Sequence, residues 1–309
     1  MKLAMVFPGQ GSQSVGMLKA YDGLPGLEQV RASVSRVLGA EFLVLLDEGP
    51  AEQLNLTVNT QPAMLAAAYA AYRAWLALGG PRPAIVAGHS LGEYSALVAA
   101  GALRFEDCLP LVRLRAEAMQ QAVPAGAGAM AAILNLDDDK VREACASAGG
   151  AVQAVNFNSP GQVVIAGESA AVARAIEACK ALGAKRALPL PVSAPFHSSL
   201  MRPAGEKLAG HLPQVALSRP EVPVLNNVDV KIEMEPDAIR DALVRQAYSP
   251  VRWVEIIQSM VQAGVTHIVE CGPGKVLAGL TKRIAPQVQS LALADRAMLE
   301  QALAEIKGA

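Results

Sequence analysis

Gly88-His89-Ser90-Leu91-Gly92 sets a serine hydroxyl two residues from a glycine on each side, the G-x-S-x-G spacing of a nucleophile elbow. The chemistry this spacing serves is acyl transfer through a serine ester. That chemistry needs a base to take the hydroxyl proton, donors for the oxyanion on the attacked carbonyl, and a turn tight enough to expose the hydroxyl. Pro83 and the apolar run Ala84-Ile85-Val86-Ala87 predict a short strand into the motif; the stretch from Glu93 to Ala100, free of Gly and Pro, predicts a helix out of it. The two glycines let the chain reverse without a Cβ clash and aim the N–H groups after Ser90 at whatever Ser90 attacks. The same pattern arises by chance in a chain with 26 glycines, so the surrounding residues have to carry the assignment.

Four histidines compete for the role of base. His89 adjoins Ser90, where neighbouring side chains diverge, and reads as a packed or hydrogen-bonding support. His267 falls in the apolar run Val265–Val269 and His211 near the end of an amphipathic helix, both structural settings. His197, in Pro195-Phe196-His197-Ser198, lies in an irregular segment where two differently patterned regions meet, a place where clefts form, and is the best candidate. No Asp or Glu between Ser90 and His197 stands out as a third triad member; a carbonyl could orient the imidazole instead.

Pro8-Gly9-Gln10-Gly11-Ser12-Gln13 follows the first predicted strand. It is either a Gly-rich turn or the source of a second oxyanion donor beside the Leu91 N–H. Arg115 flanks the apolar stripe Leu109, Val112, Ala116 and Met119. Snorkelling at the surface is one reading; facing a cleft, its planar fork suits a carboxylate held bidentately. Gly272-Pro273-Gly274 ahead of Lys275 is either an anion-binding helix start or a tight turn.

The elements that must position these residues alternate. Leu3–Phe7 reads as strand, Gln61–Leu78 as helix, Ala84–Ala87 as strand, then helices from Leu91 and from about Glu106 to Ala122, the rhythm of a parallel α/β sheet. Pro124–Gly128 breaks it. Met130–Leu134, Asp137–Ala148, Val152–Asn156, Gln162–Ala166, Ser169–Leu182 and Arg186–Pro189 then read β-α-β-β-α-β, the ferredoxin-like order. After Pro191 come a helix near Met201–Leu212, a strand at Val222–Leu225, helices near Asp237–Gln246 and Val251–Ala263, and a strand at Thr266–Glu270. The expected fold is α/β, an α/β-hydrolase-like parallel sheet core (residues 1–125 and 191–309) with a smaller ferredoxin-like subdomain inserted at 126–190.

Composition narrows the partners. The 309 residues carry 27 Lys and Arg against 28 Asp and Glu, with no basic run, so nucleic acid is not expected. A mean hydropathy of +0.29 indicates a sizeable core. Cys108, Cys145, Cys179 and Cys271 are scattered, without metal-ligand spacing, and suggest a reducing compartment. The apolar start at Leu3–Phe7 is too short for a signal peptide, and the Ala-rich segment Pro62–Leu78 contains Arg73; a cytoplasmic location without a membrane span is expected.

Seven stretches in order resemble the malonyl-CoA:acyl carrier protein transacylases of type II fatty acid synthesis: Phe7–Gln13, Thr60–Ala63, Gly88–Tyr94, Arg115, Asn156–Gln162, His197 and Glu270–Gly274. The resemblance spans nearly the whole chain. It implies Ser90 as the acylated nucleophile, His197 as the base, the Gln10 and Leu91 N–H groups as the oxyanion hole, and Arg115 as the clamp on the malonyl carboxylate. Gln61, Asn158 and Gln246 are implied at the substrate, with the Gln246 carbonyl orienting the histidine. Phe196 departs from the smaller residue of many bacterial members and is similar to the malonyl-selective pattern of polyketide acyltransferase domains. The implied reaction moves malonyl from malonyl-CoA to the phosphopantetheine thiol of acyl carrier protein by a ping-pong route for fatty acid elongation, with no cofactor and no metal. Lys185, Arg186 and Lys275 are candidate contacts for the acidic carrier protein. Two other readings stand beside it. A serine hydrolase using water is disfavoured by the missing acid and by Arg115, and a non-catalytic subunit by the intact Ser90, His197 and Arg115.

Overall fold

The computed structural model describes residues 1–192 and 194–308. The first apolar run forms β1 (Leu3–Phe7), buried at every position, as a strand covered on both faces must be. Helices α1 (Leu27–Leu38), α2 (Ala40–Glu48) and α3 (Ala51–Leu54) lead into the long α4 (Thr57–Ala77). β2 (Ile85–Gly88), α5 (Gly92–Ala99) and α6 (Phe105–Gln121) follow. Next come β3 (Gly128–Leu134), α7 (Asp138–Ser147), β4 (Val152–Ser159), β5 (Gln162–Glu168), α8 (Ser169–Ala181) and β6 (Arg186–Pro189). The chain continues through α9 (Arg202–His211), β7 (Val224–Leu225), α10 (Pro236–Gln246), α11 (Trp253–Gln262), β8 (His267–Glu270), α12 (Val276–Ile284), β9 (Gln289–Ala292) and α13 (Arg296–Gly308).

Five strands make a parallel sheet in the order β7-β2-β1-β8-β9. Strand alternation divides its core in two. Met5, Phe7, Val86 and Val269 pack into one apolar cluster with α4, α5 and α6; Ala4, Val6, Ile85, Ala87 and Ile268 pack into another with α11 and α12. The remaining strands form an antiparallel sheet in the order β4-β5-β3-β6, backed by α7 and α8 over a core of their own. Backbone bonds stitch the sheets together: the Val251 N–H donates to the Val155 carbonyl at 2.8 Å, and the Phe157 N–H to the Val251 carbonyl at 3.0 Å.

α4 starts at Thr57 rather than Gln61, which puts Pro62 inside the helix and Gln61 one turn above Thr57. β7 is two residues long where four were expected. The three helices before α4, the edge strand β9 and α13 lie in stretches for which no element was predicted. All four cysteines are buried and free. No helix among the described residues is long and apolar enough to cross a membrane.

Candidate active site

The turn between β2 and α5 holds Ser90 in left-handed backbone, φ 54°, a conformation costly for a residue with a Cβ. Packing around it admits only glycine on either side: a Cβ on Gly88 would lie 1.8 Å from the Gly92 carbonyl carbon, and one on Gly92 2.0 Å from the Phe7 carbonyl oxygen. The N–H groups of Gly92, Glu93 and Tyr94 donate to the carbonyls of His89, Ser90 and Leu91. The Leu91 N–H precedes these and belongs to the helix-start amides that have no partner within the helix.

His197 reaches this turn from the segment after β6, and its own backbone is left-handed, φ 64°. Its Nε2 lies 2.6 Å from Ser90 Oγ and its Nδ1 2.9 Å from the backbone carbonyl of Gln246 at the end of α10. A carbonyl only accepts, so Nδ1 carries the ring proton and the Nε2 lone pair accepts from the Ser90 hydroxyl. Burial, aided by the nearby Arg115 cation, pushes the imidazole down to about 3. The ring is neutral at physiological pH and free to take a proton.

Arg115 does not snorkel. It is 1% exposed, with its guanidinium carbon 5.4 Å from the Tyr94 ring centroid. Nη1 donates to Gln61 Oε1 at 2.7 Å, and Nη2 donates to Gln246 Oε1 at 2.9 Å while lying 3.3 Å from Ser90 Oγ. Each amide is itself oriented. Gln61 Nε2 donates to Thr57 Oγ1 at 3.1 Å, and the Thr57 hydroxyl donates to Gln10 Oε1 at 2.6 Å. Gln246 Nε2 donates to the Ser90 carbonyl at 2.9 Å and to Glu93 Oε2 at 3.0 Å. A cavity of about 140 Å³ collects Gln10, Ser90, Arg115, Asn156, Phe196 and His197 on its walls. The set provides a hydroxyl with its base, a helix-start N–H at Leu91 and a buried cation in one small region.

The acyl transferase domain family matches this chain over residues 4–297. The malonyl CoA-acyl carrier protein transacylase of Escherichia coli K12 is 55% identical over 305 residues, covering 98% of this chain and 99% of that protein. The chain belongs to the malonyl CoA-acyl carrier protein transacylases. Among solved structures, the acyl-carrier-protein S-malonyltransferase of Burkholderia pseudomallei is 59% identical with a TM-score of 0.97, covering 98% of this chain and all (100%) of that one. A malonyl-transacylase solved in complex with a type II polyketide acyl-carrier protein, PlMCAT:AntF, is 53% identical with a TM-score of 0.97 over 99% of this chain and 100% of that one.

In this transacylase, Asn158 does not line the cavity. Its Oδ1 sits 2.8 Å from Nε2 of His89, whose ring lies 5.4 Å from that of Trp253; Asn156, two residues earlier, faces the cavity instead. Asn227 was not singled out from the sequence, yet it clamps the strained turn: Oδ1 accepts the Ser90 N–H at 2.7 Å and Nδ2 donates to the Gly88 carbonyl at 2.7 Å. Thr57 and Glu93 are further partners given no role from the sequence: Thr57 links Gln61 on its own helix to Gln10, and Glu93, inside the Gly88–Tyr94 stretch, holds the distant Gln246 amide. The anion-binding reading of Gly272–Gly274 fails, because Glu270 Oε2 already accepts the Ala278 N–H at 2.7 Å and fills the start of α12. Lys275 beside this turn is exposed, and a Cβ on Gly274 would lie 3.1 Å from Ser12 of the Gly-rich loop. Lys185 and Arg186 are exposed at the opposite end of β6 from Leu190, which lines the cavity.

Proposed function

We propose that the chain transfers malonyl from malonyl-CoA to the phosphopantetheine thiol of acyl carrier protein through a malonyl ester on Ser90. His197 Nε2 takes the Ser90 proton as Oγ attacks the thioester carbonyl, and the Leu91 and Gln10 N–H groups receive the oxyanion. When the tetrahedral intermediate collapses, the C–S bond breaks and the coenzyme A sulfur leaves with the proton from His197. The carrier thiol then gives its proton to the same nitrogen, attacks the ester carbonyl and releases Ser90, which takes the proton back. The Gln246 carbonyl holds the ring in the required tautomer and stabilises the imidazolium formed in each half-reaction. Arg115 binds the malonyl carboxylate, with Gln61 and Gln246 fixing the plane of its guanidinium.

The observation that carries this reading is a buried arginine 3.3 Å from a serine hydroxyl that is itself 2.6 Å from a neutral histidine. A cation there has no role in plain ester hydrolysis; it suits an acyl group with a distal carboxylate. Names borne by relatives support the same substrates. The thioester is a substrate and no resident cofactor or metal enters any step. Residues 1–125 with 191–309 form the catalytic domain and 126–190 the ferredoxin-like subdomain, in a cytoplasmic protein that binds no nucleic acid. Initial rates with varied malonyl-CoA at several fixed concentrations of holo carrier protein test the proposal. Parallel double-reciprocal lines are expected; free malonate released at the same rate without carrier would make the chain a hydrolase.

A further inference from the structure

The acyl-transfer steps leave two buried carboxylates unused: Glu270, which is taken up at the start of α12, and Glu93. Glu93, in the first turn of α5, is 2% exposed and lies outside the substrate cavity, directly under the elbow. Its Oε2 accepts the Asn227 backbone N–H at 2.9 Å and the Gln246 Nε2–H at 3.0 Å. The opposite end of that amide, Gln246 Oε1, accepts from Arg115. One buried carboxylate and one buried guanidinium therefore face each other through a single oriented amide.

We propose that Glu93 is the resident counter-anion of Arg115, and that an acyl group bearing a carboxylate, on taking the guanidinium, draws a proton from solvent onto Glu93. Before substrate binds, the buried pair is neutral. A malonyl carboxylate adds a second anion to one cation in a dry site, and protonating one of the two restores neutrality. The malonyl group contacts the guanidinium directly; Glu93 is separated from it by the amide and is the one to yield. A cavity of about 10 Å³ beside Glu93, bordered by Asn226 and Glu233, has room for about one water to deliver the proton.

The charges facing Glu93 set the same balance. Burial pushes its carboxyl up most strongly, the hydrogen bonds from Gln246 and Asn227 and then the Arg115 cation on α6 hold it down, and Asp229 after β7 pushes it up, so it rests at about 7. Asp229 is held by Arg245 at 2.7 Å, Glu233 lies across the small cavity, and the Tyr94 phenol follows on the same helix. Above pH 7 the free site holds Glu93 ionised. Malonyl binding then requires proton uptake and weakens by up to tenfold per pH unit, whereas acetyl binding, which brings no charge, does not change.

This inference rests on the malonyl reading, whose own failure would show separately as the absence of any malonyl-enzyme in the wild type. Calorimetric titration of the Ser90→Ala protein with malonyl-CoA and with acetyl-CoA, near pH 7.5 in buffers of different ionisation enthalpy, counts the proton. The coenzyme A phosphates are common to both ligands and cancel. Net uptake of up to about three-quarters of a proton, the share of Glu93 ionised at that pH, is expected for malonyl-CoA and none for acetyl-CoA. Adding Glu93→Gln, which keeps an acceptor oxygen for Asn227 and Gln246, should remove the uptake. Should the double variant not fold, the wild-type pH profile decides: KM for malonyl-CoA should climb above pH 7 while that for acetyl-CoA stays flat. Equal uptake for the two ligands, uptake that persists with Gln at position 93, or a flat malonyl profile would overturn the counter-anion role.

Discussion

Two strands of the parallel sheet run through a glycine-flanked turn into a helix, and they end in opposite ways. At Gly88–Gly92 the chain leaves β2 with Ser90 in strained backbone, and the start of α5 opens on a cavity shared with His197 and Arg115. At Gly272–Gly274 it leaves β8 for α12, and the last residue of the strand, Glu270, turns its own carboxylate onto the helix amides. Both helix starts offer N–H groups to an anion. At the first the Leu91 N–H is left for a transient oxyanion while its neighbours are bonded within the turn and to Asn227, and at the second a carboxylate occupies the helix start permanently. A glycine-rich turn becomes a reaction site when a second part of the chain brings a base to it and no internal carboxylate covers the helix start.

Substitutions at the two turns should separate accordingly. Ser90→Ala removes the nucleophile and should lower malonyl transfer on the order of a millionfold, as loss of the serine does in serine hydrolases, with the fold retained because Gly88, Gly92 and Asn227 still define the turn. Transfer assays with a matched circular dichroism spectrum check both halves of that expectation. His197→Ala should cost on the order of 10²–10⁴ in acylation rate, the usual worth of a positioned base. In the wild type, kcat/KM should show no acid limb from the imidazole between pH 8 and 5, since its pKa lies at about 3. A limb near 6.5 would mean that the ring is far more hydrated than its burial implies.

Arg115→Ala should remove roughly 2 to 5 kcal/mol of transition-state stabilisation for malonyl-CoA, the cost of stranding a buried charge without its partner. Acetyl-CoA should hold or improve, and Arg115→Lys should recover part of the malonyl rate, because a point charge lacks the two-pronged geometry. Equal losses for both thioesters would make Arg115 a structural residue. The smallest catalytic effect belongs to the filled turn. Glu270→Gln should leave acylation within about twofold and act on stability instead.

Burial raises the Glu270 carboxyl to about 7, above its unfolded value of 4.5. The folded state therefore holds that proton more tightly, and the stability this brings is present below pH 4.5 and lost as pH rises toward 7. Gln at position 270 imitates the protonated form, so the variant should lose less stability than wild type between pH 5 and 8, on the order of 1–3 kcal/mol. Denaturant melts at the two pH values read the difference; parallel losses in both proteins would mean that Glu270 is ionised without penalty.

Much of the site was legible because its signals are local. The elbow announces itself in five residues, and His197 follows from its irregular surroundings. The ferredoxin-like order from β3 to β6 could be read because each of its strands and helices is short, separately patterned and bounded by turn residues. The fate of Arg115 could not be read from its helix. On α6 it sits at the edge of the apolar stripe, and only α4 and α10, folded against that edge, turn it from a surface position into a buried one. Asn227 and Thr57 are ordinary polar residues whose importance depends on partners more than a hundred residues away in one case and on a helix start in the other. Gly272–Gly274 stayed open between a turn and an anion site for the converse reason: the carboxylate that fills its helix lies at the end of the preceding strand, where an apolar pattern hides it.

The claim on which the rest depends is that the open elbow carries a malonyl ester. Mixing the protein with malonyl-CoA, quenching in acid and mapping the adduct by peptide mass spectrometry reads it directly. The expected result is one malonyl group on the peptide containing Ser90, stable in buffer and discharged when holo carrier protein is added before the quench. A malonyl group on any other residue, or no adduct from a protein that still transfers malonyl to the carrier, would contradict it.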